Sequence, residues 1–183
     1  MTAFVALLRA VNVGGNNLIR MADLKALCED LGFGNVVTLL QSGNVVFTAR
    51  GSDKAVAAKL AGAIEKSRGF RPAVIVRTTA EIADTIAMNP FKTEAKSSPR
   101  FLVVAFLGGP PEKDAAARIA AVKGDKGERL RLAGRELYIH YPGGQGTSKV
   151  TNALLERALG VPATARNWNT VTKLAAMMEG MGR

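Results

Sequence analysis

Asn89-Pro90-Phe91-Lys92-Thr93-Glu94-Ala95-Lys96-Ser97-Ser98-Pro99 is the stretch on which the fold turns. It is a polar link, and Asn89-Pro90 reads as a helix stop, because the residue before a proline is pushed out of the helical region. The pattern before it is strand 3–9, helix 21–31, strand 36–41, strand 44–49, helix 53–68, strand 72–77, helix 79–88. After it the order starts again: strand 100–107, helix 111–122, strand 128–132, strand 136–141, helix 148–159, strand 163–166, helix 169–179. Each side reads βαββαβ plus one further helix. Element order is duplicated although no sequence repeat is visible. The expected fold is α+β, a tandem duplication of a ferredoxin-like βαββαβ unit, each with an extra C-terminal helix. The repeats are expected over 1–90 and 91–183, either separate or packed as one domain.

Local punctuation agrees. Ser42-Gly43 and Ala133-Gly134 suit tight hairpin turns. Gly69 and Gly160 fall where helices should end. Ser52 or Asp53, Thr147 or Ser148, and Asn169 suit helix N-caps. Phe4–Leu8, Val36–Leu40, Ala73–Val76 and Leu102–Leu107 are apolar on both faces, so those strands should be covered on both faces. In the second hairpin Arg129, Arg131, Tyr138 and His140 point one way, and Leu130, Leu132, Leu137, Ile139 and Tyr141 the other. An RNA-reading sheet needs one open face with stacking aromatics, which this pattern does not supply.

The 183 residues are 48% hydrophobic and 22% charged, ordinary for a globular chain with a real core. No apolar run approaches a membrane span, and no basic leader with a cleavage site opens the chain. A cytoplasmic protein without a membrane partner is expected. One cysteine excludes an internal disulfide and a multi-cysteine metal site. Cys28 falls on the apolar stripe of helix 21–31 and reads as core. The net charge is +10, of which residues 1–90 carry +3 and residues 91–183 carry +7. Such a balance favours acidic partners, but no dense basic block of the nucleic-acid-tail kind is present.

Two polar clusters stand out. Strand direction in a split βαβ unit brings Arg9-Ala10-Val11-Asn12-Val13-Gly14-Gly15-Asn16-Asn17, the hairpin Gln41-Ser42-Gly43-Asn44, and Arg68-Gly69-Phe70-Arg71 to one edge. Asn and Gln amides can read a polar ligand, and arginines can pair with carboxylate or phosphate. The same Asn and Gly residues also serve tight turns. The second cluster is Tyr141-Pro142-Gly143-Gly144-Gln145-Gly146-Thr147-Ser148-Lys149, where glycines, hydroxyls and a lysine precede a helix start and could cradle an anion. The spacing is not that of a Walker A loop. Ala165-Arg166-Asn167-Trp168-Asn169-Thr170 falls at that edge too, with Arg166 expected beside the Lys149 helix start. Trp168 reads as a core plug and Asn169 as a cap, or else as ligand contacts. The single histidine, His140, reads as solvated on a polar strand face. No carboxylate pair suits acid–base work, so no catalytic constellation, metal site or cofactor is expected.

Arg9–Asn17, Gln41-Ser-Gly-Asn-Val-Val-Phe47, Thr151-Asn-Ala-Leu-Leu-Glu156 and Ala163-Thr-Ala-Arg-Asn-Trp-Asn-Thr170 together resemble the bacterial family of domain of unknown function 1697. The resemblance spans nearly the whole chain. It implies a tandem ferredoxin-like protein and no established activity. Ala10 stands where Gly is common and Asn16 where Lys or another polar residue is common, so this loop carries less positive charge.

The leading expectation is a protein that binds a small anionic or polar ligand, bearing phosphate or carboxylate. The contact residues would be Arg9, Asn12, Gly14, Gly15, Asn16, Gln41, Ser42 and Asn44, with Ser148, Lys149, Arg166 and Asn169 in the second cluster. A nucleic-acid-associated basic protein is the alternative, and an enzyme acting on a phosphorylated metabolite ranks last.

Overall fold

The computed structural model describes residues 1–181. Among them are two four-stranded antiparallel sheets and seven α-helices, a mixed α+β architecture built of two similar units. The first part of the chain runs β1 (Thr2–Leu8), α1 (Met21–Asp30), β2 (Gly34–Leu39), β3 (Asn44–Ala49), α2 (Asp53–Arg68), β4 (Val74–Thr78) and α3 (Thr79–Ala87). After α4 (Lys92–Ser97) come β5 (Leu102–Leu107), α5 (Ala115–Ala121), β6 (Arg129–Ala133), β7 (Glu136–His140), α6 (Asn152–Leu159), β8 (Ala163–Asn167) and α7 (Trp168–Glu179). The sheets have the orders β2-β3-β1-β4 and β6-β7-β5-β8. One unit holds Met1–Ala83 together with the chain from Lys173 onward, and the other holds Asp84–Thr172.

The elements form for local reasons. In α2 the Ser52 hydroxyl accepts a hydrogen bond from the Ala55 N–H, Val56, Leu60 and Ile64 bury one stripe, and Gly69 closes the last turn in the left-handed region. α6 repeats this plan with Thr151 as cap, Leu155 and Leu159 as stripe and Gly160 as stop. The first core joins Phe4, Ala6, Leu8, Val45 and Phe47 of the sheet to Leu24 and Cys28 of α1 and to the α2 stripe. Phe33 stacks on Phe47 with ring centroids 4.5 Å apart. The second joins Val103, Ala105, Leu107, Leu137, Ile139 and Tyr141 to Ile119, Leu155 and Leu159. Each fully buried aliphatic or Phe side chain contributes about 1.5–3 kcal/mol. Ala3–Leu8 and all of β5 are buried, so these central strands are covered on both faces, as their apolar runs require, whereas Val36–Leu40 is not: β2 is an edge strand, and Val37 and Leu40 are exposed.

Several boundaries differ from the sequence reading. The link Asn89–Pro99 contains the six-residue helix α4, which has no apolar period to reveal it. Asn89 starts the link with an Asx turn, its Oδ1 accepting from the Phe91 N–H at 2.9 Å. α6 starts at Asn152 rather than 148, because Gln145–Thr147 forms a short 3-10 turn and Thr151 supplies the cap. Asn169 is not the cap of α7. β8 passes straight into α7, and the Asn167 Oδ1 accepts from the Asn169 N–H at 3.0 Å.

Candidate functional site

Antiparallel register brings the end of β1 and the β2–β3 turn to the same edge of the first unit. Asn44 pairs with both Leu7 and Leu39, and the Leu8 N–H donates to the Gly43 carbonyl at 2.9 Å. The Arg9 N–H donates to the Ala73 carbonyl at 2.9 Å, which brings in the α2–β4 connection. The three segments expected to converge thus do so.

The Arg9–Asn17 loop is a miniature hairpin. Val13 and Asn16 form an isolated bridge, and Gly14 and Gly15 have φ of +59° and +77°, the two left-handed residues of a type I′ turn. Ala10, Asn12, Asn17 and Leu40 are also left-handed, with φ between 51° and 60°. Left-handed Ala and Leu are strained and persist only where surrounding bonds hold them. Here the holder is Asn12. Its Nδ2 donates to the Ile19 carbonyl at 2.9 Å and the Gln41 carbonyl at 2.7 Å, and its Oδ1 accepts from the Ile19 N–H at 2.9 Å. Asn17 donates to the Ala10 carbonyl at 3.1 Å. Buried Asn44 donates to the Leu39 carbonyl at 2.7 Å and the Ser42 hydroxyl at 3.1 Å.

The amides of Asn12 and Asn44 are therefore committed to the loops themselves. What remains is the exposed pair Gly14 and Gly15, whose N–H groups donate to nothing among the described residues, and the exposed Asn16 side-chain amide. Arg9 is half-buried at the base. Arg20 and Arg68 share the Asp23 carboxylate at 2.8 and 2.7 Å, and the hydrogen bond from Arg20 leads the effects that hold Asp23 below the usual carboxylate range. Arg71 pairs with Glu65 at 2.7 Å. Spacing gave no sign of Asp23, because it lies on the polar side of α1 and meets Arg68 only in three dimensions.

In the second cluster the protein's own carboxylates take the cations and hydroxyls. The Ser148 hydroxyl donates to Glu128, and Lys149 pairs with Asp125 at 3.2 Å. Lys126 crosses to the Thr147 carbonyl at 3.0 Å. These bonds tie the loop after α5 to the loop after β7, and they place negative charge where an anion cradle was expected. Arg166 is not beside Lys149. Ala163 and Ala165 join the core under α5 and α6, so alternation turns Thr164 and Arg166 to the opposite face. There Arg166 is buried, donates to the Thr164 hydroxyl at 2.7 Å and the Ala165 carbonyl at 2.9 Å, and has its ionisation lowered by burial to about 10. Asn169 is exposed, and Trp168 is buried, the core plug of the two readings.

His140 is buried rather than solvated. Its Nδ1 lies 3.3 Å from Arg129 Nη2, Arg129 in turn donates to Glu94, and the Arg129 guanidinium sits 5.1 Å from the Phe91 ring centroid. Glu94 and Arg129 are 35 residues apart, so neither spacing nor periodicity signals the group. Burial, then Arg129, push the His140 ionisation below 6.5, and Glu94 opposes them. The folded state thus holds the neutral ring, whereas the unfolded histidine gains its proton near pH 6.5. Stability is expected to be full above that value and to fall as pH drops from 6.5 toward the lower folded value. Urea denaturation of the protein and of His140→Gln at several pH values checks this: the variant should lose that part of the slope. Cys28 is core, as expected, and burial pushes its thiol up to about 12.

One family model, described as "Protein of unknown function (DUF1697)", matches residues 1–138. Among solved structures, that of the conserved bacterial protein SP0830 from Streptococcus pneumoniae is similar, with a TM-score of 0.77 over 97% of this chain and 98% of that one. At 20% identity this likeness shows a shared fold alone. No curated protein matches the chain.

Proposed function

This chain belongs to the DUF1697 family of proteins of unknown function, and from that premise we propose that it binds a small polar or anionic ligand, bearing phosphate or carboxylate, at the loop edge of the first unit. The observation that carries the reading is the exposed Gly14-Gly15 tip: two N–H groups without an acceptor among the described residues, on a left-handed loop tied down by the Asn12 hydrogen bonds. Strained backbone held in place by dedicated bonds is a feature of binding sites. Asn16 adds a free amide, and Arg20 with Arg68 outweighs the single charge of Asp23. The partners found for Ser148, Lys149 and Arg166 leave the second cluster without a part in this reading.

Each unit is read as ferredoxin-like, supported by the strand orders and by the pair of helices over one sheet face. The extra helices are α3 and α7. The protein is read as cytoplasmic and as a binder rather than an enzyme. Lys123 and Arg157 line a groove between α5 and α6 and have no carboxylate partner among the described residues, which favours the nucleic-acid alternative over the enzyme.

Thermal stabilisation by a panel of phosphorylated and carboxylated metabolites, followed by ¹⁵N NMR of the Gly14, Gly15 and Asn16 amides, tests the proposal. A true ligand at 100 times its Kd should add about 2.7 kcal/mol. It should also move those amide resonances first. A panel in which no compound moves them overturns the reading. Binding to DNA or RNA that weakens steeply with salt and moves the α5–α6 resonances instead supports the alternative.

A further inference from the structure

The loop edge of the first unit is apolar as well as polar. Among the described residues six large hydrophobic side chains are strongly exposed, and three of them are Val13, Leu18 and Leu40, at 64%, 62% and 57%. Each is the chain neighbour of a residue joined through the one Asn12 amide: Val13 follows Asn12, Leu18 precedes Ile19, and Leu40 precedes Gln41. Three aliphatic groups are thereby gathered at one tip. Leu40 is also held in a left-handed conformation that costs a bulky residue energy. Arg20 directly follows Ile19, its side chain is 83% exposed, and with Arg68 it shares a single carboxylate.

We propose that the anion recognised at this edge is presented by an anionic lipid surface, with Val13, Leu18 and Leu40 entering the headgroup–acyl boundary and Arg20 and Arg68 meeting the lipid phosphates. This rests on the reading of the edge as an anion site and names the source of the anion. Exposed apolar groups gathered on one surface mark an interaction site, and an interfacial contact uses apolar groups and flanking cations together. Residues 1–90 carry a net charge of +3, and at this edge Arg20 and Arg68 face the single carboxylate of Asp23, a local positive balance complementary to a negative leaflet. That no helix among the described residues is long and apolar enough to cross a membrane does not bear on a peripheral contact.

The test is co-sedimentation with vesicles of phosphatidylcholine alone and of phosphatidylcholine with phosphatidylglycerol. Binding is expected only to the second kind and should fall as salt rises. Leu18→Ser and Leu40→Asn should each weaken it about tenfold. Leu18→Ser should melt as the parent does, since the side chain is exposed, and Leu40→Asn at or above the parent, since Asn tolerates the left-handed region. Lys54→Gln, at the far end of α2, should bind as the parent does. Vesicle binding that Leu18→Ser leaves undiminished, or that Lys54→Gln weakens equally, overturns the proposal in favour of diffuse attraction. Absence of vesicle binding while inorganic phosphate moves the Gly14 and Gly15 amides overturns the lipid source and leaves the small-ligand reading standing. Vesicle binding lost in the Leu18 and Leu40 variants, with no soluble anion moving those amides, supports the lipid surface and overturns the small ligand.

Discussion

Gly43→Ala is expected to destabilise the protein by about 2–5 kcal/mol. Gly43 is buried in the β2–β3 turn at φ +80°, where any other residue costs about 1–2 kcal/mol of backbone strain. An added Cβ would lie 2.5 Å from Val11 Cγ2 and 2.9 Å from Leu8 Cβ, both essentially unexposed. Neither neighbour has free space to move into, so overpacking adds about 1–3 kcal/mol. Gly69 separates the two contributions: its φ is +75° and its added Cβ would meet nothing within 4 Å. Urea denaturation should therefore show Gly69→Ala losing only the backbone share. Equal losses in the two variants would refute the packing argument. The functional consequence is local, because the turn that Gly43 closes carries Gln41, the acceptor that anchors the Arg9–Asn17 loop.

Asn12→Ala is expected to cost about 2–3 kcal/mol, the second largest effect. The amide makes three hydrogen bonds to backbone of two separate segments, and their loss leaves the Ile19 N–H and carbonyl in a partly buried place without that partner. Net values are about 1 kcal/mol per bond. Asn17→Ala is the comparison: it is equally left-handed, at φ 51° against 54°, but makes one exposed bond. It should lose about 1 kcal/mol or less. Hydrogen exchange should locate the change, with Ile19 and the β2–β3 turn exchanging faster in Asn12→Ala while α5 and α6 keep their protection. If Asn12→Ala and Asn17→Ala destabilise equally, Asn12 is an ordinary turn residue and the rigidity assigned to the loop is lost.

Asn12 also shows where a sequence reading stops. Several adjacent amides and glycines between a strand and a helix signalled an unusual loop, and the convergence of that loop with Gln41–Asn44 followed from strand direction alone. Which amides face a ligand did not follow. Asn12, Asn17 and Asn44 donate to backbone carbonyls, and in that loop the Asn16 side-chain amide and the Gly14 and Gly15 N–H groups donate to nothing among the described residues. A side chain's choice between backbone and solvent depends on acceptors that arrive from distant segments, such as the Gln41 carbonyl 29 residues away. The second cluster failed for the same reason. Glycines, hydroxyls and a lysine before a helix describe an anion cradle until Glu128 and Asp125 fold against them. His140 lay on an alternating strand and read as solvated, but Arg129 and Phe91 cover it from a neighbouring strand and from the link.

Sequence by itself determined the order of the eight strands and of the helices apart from α4, the burial of Phe4–Leu8 and Leu102–Leu107 on both faces and the core role of Cys28. These depend on periodicity, capping and turn chemistry, which are short-range properties of a chain. Tertiary structure alone decided which polar groups remain available: it neutralised Lys149, buried Arg166 and His140, and gathered Val13, Leu18 and Leu40 at one tip. Charge pairing and exposure are set by groups far apart in the chain, and only the folded backbone brings them within a few ångströms.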